Sequence, residues 1–207
     1  MAAKLLQVTR GNRDEKNLAL LVSCLLAGGV ALLPTDSLYS LVASANKTSA
    51  LDKICKIKNI RSEKVLFSVF CHDISAVSAL TAQMEKSVFK IIKKNTPGPF
   101  TFILKASHSI NKILKNRKET VGIRIPDHPL WEVLTNFMNH PVIGSSAPGQ
   151  DANFDEDDHL NWVNTIASQV DFIWDEGFSY PHQSAIVDCT AINIQVLREG
   201  PLSLQWS

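Results

Sequence analysis

An arginine stands where an apolar strand is expected. In VGIRIP (residues 121–126), Arg124 is flanked by Ile123 and Ile125. A guanidinium taken out of water is costly unless carboxylates or hydrogen-bond acceptors satisfy it. Two readings stay open: a structural ion pair to Asp36 or Asp188, or a grip on a ligand carboxylate or phosphate. LLPTDSLYSLVA (residues 32–43) raises a similar question. It sets two hydroxyls (Thr35, Ser37), a carboxylate (Asp36) and a phenol (Tyr39) between apolar segments that resume at once. The stretch reads either as a turn in which Thr35 or Asp36 caps a short helix, or as the wall of a site. Thr120, Ser145, Ser146, Ser184 and, more weakly, Arg198 also fall at expected strand ends or adjoining turns, where α/β folds gather ligands. The densest basic run, KIKNIRSEK (residues 56–64), places Lys58, Arg61 and Lys64 where a helix hands over to a strand. It is a solvated helix end favoured by the dipole, or a phosphate clamp.

These groups need a scaffold, and the apolar pattern supplies one. Residues 14–26 repeat Leu18, Leu21 and Leu25 at helical spacing and stop at Gly28 and Gly29. VALLP follows as a strand, Thr48 caps a helix to about Lys58, and VLFSVF reads as a buried strand. A helix over residues 84–94 ends at NTPGPF, whose prolines forbid continuation. TFILKA and TVGIRI are strands, HPLWEVLTNFM is a helix opened near Pro129, and PVIGSS is a strand entering a polar loop. The acidic DANFDEDD leads into a helix over residues 156–168, and FIWD, SAIVDCT and IQVLRE close the chain as strands. The fold class is α/β (or α+β): a single domain around one mixed sheet flanked by helices.

Bulk properties narrow the function. The 207 residues, 45% hydrophobic and 20% charged, suffice for one sizeable core. No membrane span or secretory signal is visible, and four scattered cysteines read as buried apolar residues of a reducing compartment. The expected location is the cytoplasm. Walker, GxGxxG, GxSxG and HExxH motifs are absent, and the six histidines show no metal-ligand spacing; His72 and His128 read as surface or cap residues. Charge is unevenly spread. Residues 47–118 hold 15 of 21 Lys and Arg but four of 20 acids, giving +11 against −10 elsewhere. That is either solvated lysine-bearing helix faces or a field that collects nucleotides or polyanions.

In chain order, PTDSLYSL, KIKNIRSEKVL, TPGPFTFIL, TVGIRIPDHP, PVIGSSAP, SAIVDCT and LREGPLS resemble the YrdC/YciO family of threonylcarbamoyl-adenylate synthases and their relatives, over about residues 15–205. The resemblance implies one YrdC-like domain with a twisted sheet and a deep, positively charged cavity. It implies ATP, accompanied by Mg²⁺ but with no tightly bound metal, L-threonine and bicarbonate as substrates, pyrophosphate release, and a place in tRNA modification. Double-stranded RNA is the further partner it implies. Carried across residue by residue, Thr35 and Ser37 stand beside threonine and nucleotide, Thr120 and Arg124 reach ATP and the threonine carboxylate, and Ser184 and Arg198 line the same cavity. Lys58, Arg61 and Lys64 hold phosphates, with Ser145 and Ser146 as hydrogen-bond partners. Two positions depart from the catalytic branch. Its Lys-x-Arg reads Lys58-Asn59-Ile60-Arg61 here, and its Ser-x-Asn reads Ser146-Ala147-Pro148. KKNTPGPFTFILK favours the YciO branch. Losing an Asn that hydrogen-bonds a charged ligand group costs about 1.5–3 kcal/mol, so the expectation is retained nucleotide binding with weakened synthesis. A non-catalytic double-stranded RNA-binding module using the +11 segment is the competing expectation.

Overall fold

Helix boundaries follow local chemistry. The Asp14 carboxylate accepts the Lys16 backbone N–H at 2.8 Å and opens α1 (Glu15–Ala27), which Gly28 closes in the left-handed region at φ 95°. The computed structural model describes residues 3–9, 14–61, 67–114, 119–150, 154–178 and 182–206. Besides α1 they form β1 (Lys4–Gln7), β2 (Ala31–Leu33), β3 (Ser40–Ser44), α2 (Thr48–Ile57), β4 (Ser68–Phe70), α3 (Ile74–Leu80), α4 (Lys86–Asn95) and β5 (Phe100–Lys105). The second half adds α5 (His108–Leu114), β6 (Thr120–Arg124), α6 (Pro129–Phe137), β7 (Val142–Ser146), α7 (Glu156–Ala167), β8 (Phe172–Asp175), β9 (Ala185–Asp188) and β10 (Gln195–Arg198). Asp155 and Asp158 make a reciprocal capping box at α7, as the acidic run suggests; residues 151–153 lie outside the described residues.

The expected mixed sheet is present, in the order β1-β8-β2-β3-β7-β4-β6-β5-β9-β10. Four elements went unexpected. The helices α3 and α5 span only seven residues each, too short for a helical repeat to register, and β1 is a four-residue strand at the sheet edge. β3 is buried at all five positions, so it shows no alternation. At α2 the cap position is Lys47 rather than Thr48, with no side-chain cap. The expected VLFSVF strand is described from Ser68 onward, residues 62–66 lying outside the described residues.

Alternation along the strands decides where a ligand can go. On one face, α2, α3, α4, α5 and α7 bury Ile54, Val77, Ile92, Ile110 and Val163 against Leu32, Val69, Phe102, Ile123, Ile173 and Val187. On the other, α1 and α6 bury Leu21, Leu25, Trp131 and Leu134 against Ala31, Leu33, Val42, Phe172 and Trp174. Strands β2, β3 and β8 therefore have core on both sides. Strands β5, β6 and β9 give only alternate residues to the core. Their other residues, Thr101, Ile103, Thr120, Gly122, Arg124, Ile186 and Asp188, line a cavity. Among the described residues no helix is long and apolar enough to cross a membrane.

Close approach of β7 to β3 requires Gly144. A Cβ there would stand 2.5 Å from the Leu41 carbonyl oxygen and 2.9 Å from Phe70 Cε2. Gly144→Ala is expected to destabilise the fold by about 1–3 kcal/mol through overpacking, read as a lower midpoint in urea unfolding.

Candidate functional site

The cavity has a volume of about 690 Å³. Its floor is the open half of the sheet, with Ser68, Thr101, Gly122, Ile186 and Asp188; Ser37, Leu38, Lys58 and Ile60 stand on one side, and Gln183, Ser184, Leu197 and Arg198 on the other. Among the described lining residues the charged side chains are Lys58, Arg124, Arg198 and Asp188.

Arg124 ends β6 and is 6% exposed. Its Nη2 donates to Asp36 in a buried ion pair, and its Nη1 donates to Ser37 Oγ at 3.1 Å. Its Nε is buried with no hydrogen-bond partner among the described residues. Burial pulls its pKa down, Asp36 opposes that, and the nearby Arg198 charge adds to it. Of the two structural partners left open by the sequence, Asp36 is the one used. Asp36 also accepts the Asp127 backbone N–H at 2.9 Å, and the Trp131 indole donates to the Pro34 carbonyl at 2.8 Å. The PTDS stretch is thus a turn clamped to β6 and α6, with no helix for Thr35 or Asp36 to cap.

The remaining expected residues divide by position. Ser37, Lys58, Thr120, Ser145, Ser146, Ser184 and Arg198 line the cavity with Arg124. Thr35 is not a lining residue. Its hydroxyl accepts the Ser37 N–H at 2.9 Å and donates to the Leu38 carbonyl at 2.8 Å, which shapes the turn behind the wall. Arg61 is exposed and is not among the lining residues; Lys64 lies outside the described residues. Lys58 reaches across to donate to the Ser146 carbonyl, with Ser146 Oγ at 3.4 Å, and burial lowers its pKa. Arg198 grips the Ser184 carbonyl through Nε at 2.9 Å and Nη2 at 2.7 Å, while Ser184 Oγ meets Thr101 Oγ1 at 2.9 Å. Where a Ser-x-Asn amide would stand, the Pro148 carbonyl accepts the Trp162 indole N–H at 2.8 Å. The four cysteines are free thiols; burial pushes those of Cys71 and Cys189 up to about 12, as expected of unreactive core residues.

Residues 23–200 match the Sua5/YciO/YrdC family, described as telomere recombination. The chain belongs to that family. It is 28% identical to the uncharacterized protein YciO of Escherichia coli K12 over 91% of each chain. The crystal structure of E. coli YciO has the same fold, with a TM-score of 0.84, 25% identity and 98% of each chain covered. A putative threonylcarbamoyl-AMP synthase of Methanocaldococcus jannaschii is 28% identical over 98% of this chain and 95% of that one. The P. abyssi Sua5 crystal structure complexed with L-threonine shares the fold at 18% identity, with a TM-score of 0.81 over 98% of this chain and 58% of that one.

Behind the turn, this Sua5/YciO/YrdC domain carries a polar network that sequence reasoning missed. His159 Nε2 lies 2.8 Å from Asp175 Oδ1, and His128 Nε2 lies 2.9 Å from Glu176 Oε2, all four side chains at most 5% exposed. The Tyr39 hydroxyl donates to the Gly177 carbonyl at 2.8 Å and accepts the Glu176 N–H at 3.1 Å. The Gln150 amide accepts the Tyr39 N–H at 2.8 Å and donates to the carbonyls of Tyr39 and Ala147. Gln150 thus joins the two loops that carry Ser37 and Ser146. His128 is the N-cap of α6, as one of its two readings had it, but it is buried rather than superficial. Only Tyr39 stood out in the sequence; the Asp175-Glu176 pair at the end of FIWD looked like an ordinary strand terminus.

Burial raises the Asp175 pKa, but the hydrogen bonds from His159 and Gly177 outweigh it and hold the carboxyl below 3.8. Its contribution to stability is therefore full above the ordinary carboxylate pKa and lost as pH falls through the depressed value. His159→Ala strands the buried carboxylate and is expected to cost about 3–5 kcal/mol, with a lower melting temperature at neutral pH and a smaller loss once acid protonates Asp175.

Proposed function

We propose that the cavity binds ATP together with the carboxylate of L-threonine, and that the protein is a cytoplasmic threonylcarbamoyl-adenylate synthase of reduced turnover on the route to modified tRNA. One observation carries this reading. Two mutually repelling guanidiniums, Arg124 and Arg198, face one cavity, and Arg124 keeps a buried Nε without a hydrogen-bond partner among the described residues. Like charges converging in a half-closed space call for an anion between them. Membership of a family with named threonylcarbamoyl-AMP synthases supports the choice of anion.

In this reading the threonine amine and bicarbonate combine with loss of water. The resulting carbamate oxygen attacks the α-phosphorus of ATP, and pyrophosphate leaves. Arg124 holds the threonine carboxylate, Lys58 and Arg198 hold phosphates, and Ser37, Thr120, Ser145, Ser146 and Ser184 orient the two substrates; Arg61 and Lys64 would add positive charge. Mg²⁺ accompanies ATP and offsets phosphate charge, with water and phosphate oxygens as most of its ligands. The chemistry needs placement and positive charge more than covalent help. Three features of the site support the reduced turnover of this reading. Asp36 already neutralises part of Arg124, Lys58 and Ser146 already engage one another, and Pro148 offers no amide. Each missing hydrogen bond to a charged group is worth about 1.5–3 kcal/mol.

Pyrophosphate release from ATP, bicarbonate and L-threonine, each omitted in turn, tests this. Release is expected to require threonine and to fall at least tenfold in Arg124→Ala, with Arg124→Lys intermediate and a thermal melt confirming that each variant is folded. Release should also decline as pH rises through the Lys58 pKa, below its ordinary 10.5, because the neutral amine no longer holds phosphate. Release that ignores threonine, or is untouched by Arg124→Ala, overturns the reading.

A second reading has its own observation. On α4, Lys86, Lys90 and Lys93 surround the exposed Phe89 and, with residues 81–84, border a groove of about 500 Å³. Closely spaced exposed lysines suit a nucleic-acid backbone, and binding there weakens steeply with salt. Lys94 contributes less than the sequence suggests, since its ammonium donates to the Trp206 carbonyl at 3.0 Å. Double-stranded RNA retention is expected to drop in Lys90→Ala and survive Arg124→Ala. The opposite pattern removes the RNA reading.

A further inference from the structure

Arg124 has taken Asp36 as its counter-ion, and among the described residues Asp188 has none. We infer that Asp188 is the cavity's cation-holding carboxylate, the group that receives the divalent metal of a metal–nucleotide complex. This rests on the nucleotide reading above.

Three observations place it. Ser184, Ile186 and Asp188 alternate toward the cavity while Ala185 and Val187 enter the core. Asp188 is the one acidic side chain among the described lining residues, and it makes no ion pair among them. Its Oδ1 accepts both the Thr190 backbone N–H at 2.9 Å and the Thr190 hydroxyl at 2.7 Å. That double contact fixes the plane of the carboxylate and leaves Oδ2 with no hydrogen-bond partner among the described residues. A carboxylate aimed into a space built for anions would repel a bare polyphosphate. It makes sense when the ligand brings its own positive charge.

Register sets the spacing. Asp188 lies beside Ile103, which pairs with Gly122, whereas Arg198 lies beside Ile186 and Arg124 stands two residues beyond Gly122. The arginines thus share one row of the floor and Asp188 the next, roughly 6–7 Å along the strands. A phosphate held by an arginine in one row can offer another of its oxygens to a metal standing in the next. Among the described residues no three ligating side chains converge on one point. One carboxylate is nevertheless a fitting protein share for Mg²⁺, which keeps several waters and leans on substrate phosphates.

Calorimetric titration of ATP into the wild type and Asp188→Asn, each in Mg²⁺ and in EDTA, with L-threonine titrated separately into both proteins, tests the assignment. The asparagine keeps its oxygen on Thr190 and so preserves the turn. In the wild type Mg²⁺ should tighten ATP about tenfold, as a half-screened charge pair would. In Asp188→Asn that gain should shrink to within about twofold, while metal-free ATP binds at least as tightly as in the wild type because a repelling charge has gone. Thr190→Val, which keeps the carboxylate but loosens it, should fall between the two. An undiminished Mg²⁺ gain in Asp188→Asn overturns the inference. So does equal weakening in both buffers, which would make Asp188 only a turn former. Weaker L-threonine binding with unchanged Mg²⁺ dependence assigns the carboxylate to an ammonium instead, and also overturns it. A wild type that binds no ATP in either buffer removes the nucleotide reading and this one with it.

Discussion

A buried ion pair, Arg124 to Asp36, is the contact on which the rest of the site depends. Removing either charge would leave the other unpaired and largely buried, and that imbalance far exceeds what the pair gains over an apolar alternative. Its value here lies in geometry. It joins the end of β6 to the turn between β2 and β3, and through the Asp127 N–H it reaches the start of α6. Trp131, stacked on Phe70 with ring centroids 3.9 Å apart, then hydrogen-bonds the same turn at Pro34. A charged contact and an aromatic one thereby fix a four-residue turn whose Ser37 and neighbouring Leu38 face the cavity.

How much of this could be read from sequence depended on whether a strand has one buried side or two. TVGIR and SAIVD alternate, so Arg124 and Ser184 announced a second environment opposite the core. SLVAS is buried throughout, so its sequence carries no alternation that would mark it as a strand or disclose its pairing. Arg124 was legible because a charge in an apolar run demands a partner; which acid answered was not, because Asp36 and Asp188 are both plausible by composition and only the register separates them. Thr35 and Ser37 share a type and a turn yet differ in role, since the turn aims one hydroxyl inward and folds the other onto its own backbone. The His159–Asp175 and His128–Glu176 pairs stayed hidden for a simpler reason. Each joins residues 16 or 48 positions apart, with no spacing rule to connect them.

The departures from the synthase pattern also acquire a physical meaning. Pro148 removes an amide from the loop after β7, but its carbonyl anchors Trp162, which packs edge-on to Tyr39 and Phe154. Two residues later, Gln150 uses its amide to tie that loop to Tyr39. Loop position is thus secured by contacts facing away from the cavity, which keeps the wall in place while subtracting a group that could meet a ligand.

The lysine-lined groove rests on helices that cover one face of the sheet, and the cavity opens from the other. A layer of hydrogen-bonded backbone and close-packed side chains separates them, and the two share no lining residue. Occupants of the two would not compete for space, and their charges would act on each other only through that intervening layer. Interdependence between them would have to travel as a small shift of the strands themselves, a movement that Gly144 and its close neighbours leave little room for.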